Sequence, residues 1–170
     1  MPPVDRIDAT DARILLALVG RPRATALWLA ERLGMSRNTV QTRLTRLEEG
    51  SVLDSAERRI GPRPLGYPLT AFVTTRVTQR ALDQVAEALG RVPEVLQVLG
   101  ISGQADLLVQ IAAADADDLY RVAGQILAIP GVERSETALV MRELVPYRVT
   151  PLLRRLASRG TRPRGNADPI

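Results

Sequence analysis

The stretch from Leu29 to Leu47 reads LAERLGMSRNTVQTRLTRL and decides how the first third of the chain folds. Gly34 tolerates a left-handed turn, and Ser36 is a favourable N-cap for the helix that follows it. The apolar residues of this helix repeat at helical spacing on one face, and they are Val40, Leu44 and Leu47. A helix, a turn through glycine and a second, capped helix are typical of a helix-turn-helix.

The opposite face of that helix is polar and carries no acidic residue before Glu49. Amide, hydroxyl and guanidinium groups bind base edges in the major groove, and flanking arginines reach phosphates. We therefore predict that this face contacts double-stranded DNA. The predicted base-reading residues are Asn38, Gln41, Thr42, Thr45 and Arg46; Arg37 and Arg43 flank them, and Ser36 at the helix start completes the set.

Two further helices are predicted in front of this motif. Asp8 or Thr10 can cap the first of them, and Thr25 can cap the second. After the motif, a short strand at Val52–Leu53 begins a predicted β-wing. Residues 1–60 are thus predicted to form a winged helix-turn-helix domain.

Residues 61–68 read GPRPLGYP, and this density of Pro and Gly predicts a linker. Beyond it, strand and helix periods alternate. The predicted elements are a strand over 69–77, a helix over 81–89, strands over 95–101 and 106–112, a helix capped by Asp115, and a strand over 132–144. This β-α-β-β-α-β order predicts a ferredoxin-like sandwich over residues 69–150, so the fold class is α+β. Both helices cover one face of the sheet, and we expect a partner subunit to cover the other.

The composition excludes several classes of protein. The 170 residues include no Cys and no His, which removes thiolate chemistry, the commonest general base and the commonest metal ligand. We therefore predict no catalytic site, no metal and no cofactor. No apolar run is long enough to span a membrane, and the N-terminus has no apolar signal segment, so we expect no membrane partner and a cytoplasmic location.

Charge is unevenly distributed along the chain, and every basic residue is Arg. The net charge is +3 over residues 1–64, −3 over residues 65–150 and +4 over residues 151–170. The last segment is an Arg-rich tail that begins with three leucines at helical spacing. The tail is either an idle solvated extension or a source of further phosphate contacts.

Four groups of residues resemble the Lrp/AsnC transcriptional regulators, also called feast/famine regulators. IDATDARIL at 7–15 is similar to the family's opening L-D-x-x-D-x-x-I-L, LAERLGMS at 29–36 to its L-A-x-x-x-G-L-S, and VQTRLTRLE at 40–48 to its V-x-x-R-h-x-x-L-E. SGQADLL at 102–108 is similar to the family's G-x-x-D-h-h turn. The order and spacing of these groups make the resemblance specific.

This resemblance implies a front domain that binds operator DNA and a back domain that senses a small effector, usually an amino acid. It also implies a homodimer, which in the family often assembles into octamers. The effector is expected near the G-x-x-D turn, where Gly103 lets backbone N–H groups face a carboxylate and Asp106 can pair with an α-ammonium group. The candidate effector residues are Ser102, Gly103, Gln104, Asp106 and, on the last strand, Thr137. We thus expect a sequence-specific, effector-modulated transcriptional regulator and not an enzyme.

Three other functions remain open at this point. Some haem-pathway decarboxylases that act on tetrapyrroles resemble the same two-domain architecture, but they use His, which this chain lacks. RNA-recognition domains share the β-α-β-β-α-β order, but they need aromatic residues on the two central strands, where Phe72 stands alone. A pure oligomerisation module would leave the polar face of the third helix unexplained.

Overall fold

The computed structural model describes residues 7–50, 52–53 and 60–159. The chain divides into two compact units. The first unit comprises residues 1–57 together with residues 145–170, and the second comprises the residues between them. Along the chain, the second unit is therefore an insertion within the first.

The described part of the first unit contains four α-helices: α1 (Ala9–Gly20), α2 (Ala26–Leu33), α3 (Arg37–Glu49) and α6 (Thr150–Arg159). The side chains of Asp8, Thr25 and Ser36 each accept a hydrogen bond from the backbone N–H three residues further on. Each of the first three helices therefore begins at a polar cap, which satisfies one of its unpaired N–H groups. Of the two residues predicted to cap α1, Asp8 is the one that does so.

The turn between α2 and α3 has the predicted geometry. Gly34 has a φ of 67°, a left-handed conformation that favours glycine. The N–H of Met35 then donates to the carbonyl of Ala30, so the chain reverses direction before α3 begins. The helix-turn-helix prediction is confirmed. Most of the predicted wing lies outside the described residues, and Val52–Leu53, which is described, is not a strand.

The last helix, α6, differs from the sequence prediction, which treats residues 151–170 as a tail beyond both domains. Leu153 is only 7% exposed and belongs to the apolar core of the first unit. Leu156 and Ala157 pack against the same core, whose buried members on the other helices are Ala12, Ile14, Leu15, Leu29, Ala30, Val40 and Leu47. Leu153, Leu156 and Ala157 thus form the apolar stripe of a helix that packs against α1, whereas Leu152, the first leucine of the tail, is exposed.

The second unit contains a four-stranded antiparallel sheet and two α-helices. Its elements are β1 (Leu69–Val77), α4 (Leu82–Gly90), β2 (Val95–Gly100), β3 (Leu107–Ala113), α5 (Ala116–Leu127) and β4 (Val132–Leu139). The strands are ordered β2-β3-β1-β4, so the two central strands are β1 and β3. The β-α-β-β-α-β order and the α+β fold class are confirmed.

The two faces of this sheet differ in burial. Val73 and its alternate neighbours on β1 are buried against Val85 and Leu89 of α4 and Val122 of α5. The intervening residues of β1 point to the other face, which is only partly buried within the described residues. Leu99 of β2 is 43% exposed. One face is therefore the core of the unit, and the other presents apolar groups to its surroundings.

Two stretches at the ends of the sheet depart from prediction. The stretch 61–68 belongs to the second unit and contains a 3₁₀ turn, because the fixed φ of proline suits a tight turn as well as an open linker. β4 ends at Leu139 and not at 144. The N–H of Val140 still donates to the carbonyl of Thr70, but β1 begins just before that residue, so the chain beyond has no strand to pair with.

The packing of α6 gives a first prediction. Replacing Leu153 with Ala removes a buried side chain from the first-unit core, and we expect the free energy of unfolding to fall by about 2–5 kcal/mol. Leu152→Ala is the matched control, because Leu152 is 67% exposed and its loss is expected to cost less than about 0.5 kcal/mol. Urea unfolding of the full chain measures both variants. Equal stability of the two would contradict the packing of α6.

Candidate DNA interface and effector site

The polar face of α3 is exposed, as predicted. Val40 and Leu47 are buried in the first-unit core, so the opposite side of the helix is directed away from it. The predicted residues on that side that lie exposed are Arg37, Asn38, Gln41, Thr42, Thr45 and Arg46. The hydroxyl of Ser36 is also exposed, and it accepts a hydrogen bond from the N–H of Thr39 at 3.0 Å as the helix cap.

Two of the arginines of α3 have a role that the helical wheel does not reveal. The wheel predicts a base contact for Arg46 and a phosphate contact for Arg43. In the structure, Nη1 of Arg43 donates to Asp11 and to Asp8, each at 2.7 Å, and Nη2 of Arg46 donates to Asp11 at 2.5 Å. Both guanidinium groups therefore bind α1 and its cap, a role that the sequence does not predict, and their DNA contacts stay predictions.

The carboxylate of Asp11 is the centre of this arrangement. Its side chain is 0% exposed, whereas those of Arg43 and Arg46 are 26% and 48% exposed. It also accepts a hydrogen bond from the N–H of Asp8, while Asp8 accepts one from the N–H of Asp11, which is a reciprocal capping box. A buried carboxylate needs such partners, because an unpaired one would cost several kcal/mol.

Asp8 lies at the edge of this network and binds Arg43, which also binds Asp11. Burial would raise the pKa of the Asp8 carboxyl, but hydrogen bonds from Arg43 and from the N–H of Asp11 outweigh it and lower the pKa below its ordinary value. Because the folded-state pKa is lowered, the stabilisation from this contact is present above the ordinary carboxyl pKa. It is lost as the pH falls through the folded-state value.

The predicted effector turn joins β2 to β3 at one end of the sheet. Gly103 has a φ of 126°, which favours glycine. The N–H of Ile101 donates to the carbonyl of Asp106 at 2.9 Å and closes the turn. Within the described part of the chain, the backbone N–H groups of the four residues between them, 102–105, have no acceptor. These groups are therefore available to an anion.

Asp106 is held in place by the neighbouring strand. Its N–H donates to the carbonyl of Thr75, and its Oδ2 accepts a hydrogen bond from the N–H of Val77, each at 2.9 Å. One carboxylate oxygen thus fixes the turn against the end of β1. Its Oδ1 has no hydrogen-bond partner among the described residues. In addition, Arg76 donates to the carbonyl of Gln104 and ties the turn to the same strand.

A cavity of about 310 Å³ opens beside this turn, and its lining residues are Val77, Gln79, Leu82, Gly100, Ile101, Ser102 and Asp106. Of the predicted effector residues, Ser102 and Asp106 line it, and Gly103 and Gln104 lie on the turn between them. Thr137 does not belong to this group. It pairs with Val73, four residues before Val77, which places it roughly 13 Å along the sheet from the cavity.

Sequence reasoning missed the apolar lining of the cavity. Val77 is the last residue of β1, Leu82 is the first residue of α4, and Ile101 follows the end of β2. They read as ordinary core positions, because only the pairing of β1 with β3 brings the end of β1 beside residues 102–106.

Comparisons with known proteins agree with this geometry. The AsnC-type helix-turn-helix domain matches residues 7–48, and the Lrp/AsnC ligand binding domain matches residues 70–150. A Rhodobacter capsulatus protein, the proline dehydrogenase transcriptional activator, is 30% identical over 145 residues, which cover 83% of this chain and 94% of the relative. The chain belongs to the Lrp/AsnC family of transcriptional regulators.

Solved structures of Lrp/AsnC proteins have the same fold. AsnC of Escherichia coli superimposes with a TM-score of 0.77 at 23% identity, covering 86% of this chain and 99% of that one. A Neisseria meningitidis transcriptional regulator, solved as a complex with L-Met, superimposes with a TM-score of 0.73 at 26% identity, covering 83% and 94%. This Lrp/AsnC protein is therefore a DNA-binding transcriptional regulator with a ligand-binding domain.

The described residues of this Lrp/AsnC regulator show two further absences. None of their helices is long and apolar enough to cross a membrane. Within the same residues, no three carboxylate, Cys or His side chains are grouped so that they could hold a metal ion.

The Asp11 network gives the second prediction. Asp11→Asn removes the charge that both arginines of α3 share, and we expect the free energy of unfolding at neutral pH to fall by about 1–3 kcal/mol. The expected loss is smaller than that for a fully buried pair because both arginines are partly exposed. Glu31→Gln, an exposed change of equal charge on α2, is the control. Urea unfolding in which Asp11→Asn matched Glu31→Gln would contradict the role given to Asp11.

Proposed function

We propose that this regulator binds a specific operator sequence through the exposed face of α3 and that an α-amino acid bound beside Asp106 modulates this binding. It acts by binding and not by catalysis, and the regulator names of its relatives support this. The observation that carries the proposal is the juxtaposition at the effector turn. Free backbone N–H groups lie next to a carboxylate oxygen that has no partner among the described residues, at the mouth of a cavity.

An α-amino acid has the two groups that this turn can bind. Its carboxylate suits the N–H groups of residues 102–105, and its ammonium suits the Oδ1 of Asp106. A cavity of about 310 Å³ is at the lower end of the range for small-ligand sites, roughly 300–1,000 Å³. The site therefore fits a ligand of amino-acid size better than a larger metabolite.

The remaining lining favours an apolar side chain on the effector. Val77, Leu82 and Ile101 contribute apolar surface, and Gln79 is a neutral amide. Burying an apolar side chain there gains about 25 cal/mol per Å² of surface removed from water. A charged side chain would find Asp106 as the one charged lining residue, and that carboxylate is the proposed partner of the ammonium group. The L-Met complex of the Neisseria meningitidis relative supports this class of ligand.

The regulator is proposed to act as a homodimer, which can assemble further into an octamer. Each copy presents one α3, and two copies read two half-sites about one helical turn of DNA apart, or a multiple of it. The partly buried face of the sheet is the surface proposed to join the copies, because it presents apolar groups such as Leu99 and Phe72.

The effector site gives the third prediction. Asp106→Asn keeps an acceptor for the N–H of Val77 but removes the charge that would bind an ammonium group. We expect the affinity for an apolar L-amino acid, measured by titration calorimetry on the full chain, to fall more than tenfold, or about 1.5–3 kcal/mol. Operator binding in the absence of the amino acid is expected to stay unchanged.

Asp117→Asn is the control for this experiment, because it removes an equal charge from the exposed first turn of α5, away from the cavity. L-Leu, L-Met, L-Asp and L-Arg are titrated in parallel. Wild-type affinity in Asp106→Asn would remove this residue from the site. Tightest binding of a charged amino acid would refute the assignment of ligand class.

The DNA interface gives the fourth prediction. Asn38→Ala removes a side chain placed to read a base edge, and we expect a loss of about 1–3 kcal/mol on the operator with little change on unrelated DNA. Arg37→Gln is expected to weaken binding to both DNAs alike, because a phosphate contact carries no sequence information. Fluorescence anisotropy with DNA from upstream of the protein's own gene and with a scrambled duplex separates the two effects. A uniform loss in Asn38→Ala would contradict the proposed orientation of α3.

A further inference from the structure

The outward side of α6 is strongly basic. Leu153, Leu156 and Ala157 face the core, and Arg154, Arg155 and Arg159 lie exposed on the rest of the helix. No acidic residue occurs between position 145 and the end of the helix. None of these three arginines has an ion pair or a hydrogen-bonded acceptor among the described residues. Arg13 and Arg46 of the same unit each donate to an acceptor within it, whereas other exposed arginines do not. Among the described helices of the unit, α6 is the one that carries three arginines without such a partner.

α3 itself carries little unpaired positive charge that could bind phosphates. Of its three arginines, Arg43 and Arg46 are bound to Asp11, which leaves Arg37 as the one without a partner in the described structure. Proteins that bind duplex DNA neutralise several phosphates, and this sequence-independent term supplies much of their affinity. The positive charge for it must therefore come from elements other than α3.

We propose that the exposed face of α6, formed by Arg154, Arg155 and Arg159, is a second DNA-binding surface that contacts the phosphate backbone. The inference rests on the proposed function, in which the first unit binds DNA through α3. It assigns a role to a helix that lies almost wholly beyond the stretch matched by the ligand-binding family model, which ends at residue 150.

Two properties of this face indicate that its partner is DNA: its positive charge, and its place in the same unit as α3. Three guanidinium groups without counter-ions among the described residues, on one face of a helix ten residues long, match a polyanion. The helix is packed onto α1, in the same compact unit as α3, so it moves with the DNA-reading face. A surface made only of exposed arginines has no means to read bases, so its contacts are expected to be independent of sequence.

The test uses the full chain carrying Arg154→Gln, Arg155→Gln and Arg159→Gln together. All three side chains are exposed, so the core that holds α6 is untouched. The matched control carries Arg63→Gln, Arg80→Gln and Arg142→Gln, three exposed arginines of the second unit, and so has the same net charge. Affinity for a non-specific DNA duplex is measured by anisotropy over a range of salt concentrations.

The expected result is a shallower salt dependence in the α6 variant only. The slope of log K against log salt should fall by about 0.9 for each phosphate that the variant no longer neutralises, or by up to about 2.7 for three. Discrimination between the operator and the scrambled duplex should stay as in the wild type. Equal slopes in the α6 variant and the control would overturn the proposal. An unchanged slope together with a change of oligomeric state in sizing chromatography would also overturn it, because the face would then dock another copy of the chain.

Failure of this inference is distinguishable from failure of the proposed function. If the wild type fails to prefer its operator, the assignment of α3 is wrong whatever the α6 variant does. If the wild type prefers its operator and the α6 variant keeps the wild-type slope, only the role of α6 is refuted.

Discussion

The fully buried carboxylate of Asp11 is the constraint on which the first unit depends. It lies in the first turn of α1 and would be costly to bury alone, so it requires the guanidinium groups of Arg43 and Arg46 on α3. The same carboxylate closes the capping box at Asp8. One group therefore fixes both where α1 begins and how α3 is oriented against it. The apolar core adds the larger share of stability, but it does not specify rotation about the helix axis as sharply as directed hydrogen bonds do.

This arrangement divides the arginines of the chain by role. Two of the three on α3 bind the protein itself. The outward side of that helix carries Asn38, Gln41 and threonines, whose amides and hydroxyls are proposed to discriminate bases but neutralise no charge. Among the described helices of the first unit, α6 is the one that carries three exposed arginines without an ion pair or a hydrogen-bonded acceptor; α2 and α3 carry one each. In the proposed complex with DNA, specificity and electrostatic attraction are thereby assigned to different elements of one unit, so each could vary without disturbing the other.

The second unit uses a carboxylate in a comparable way. Asp106 uses one oxygen to accept the N–H of Val77 and so secures the turn to the end of β1. The other oxygen is left toward the cavity, beside backbone N–H groups that the turn cannot satisfy. The proposed binding of a small zwitterion rests on these unpaired donors and this unpaired acceptor, and the surrounding apolar side chains would lower the competition from water.

Local chemistry was sufficient to predict most of the secondary structure. Helix caps such as Ser36, the glycine of the α2–α3 turn and the two apolar periods act over a few residues, so they predict the elements and their order without knowledge of the fold. Pairings between distant residues were not predictable in the same way. The contacts of Asp11 with Arg43 and Arg46, and that of Asp106 with Val77, join residues about thirty positions apart. On a helical wheel an arginine that binds DNA and one that binds a buried carboxylate look alike. Three leucines at helical spacing likewise indicate a helix early in the tail but do not say what it packs against, because burial depends on which surfaces the folded chain brings together.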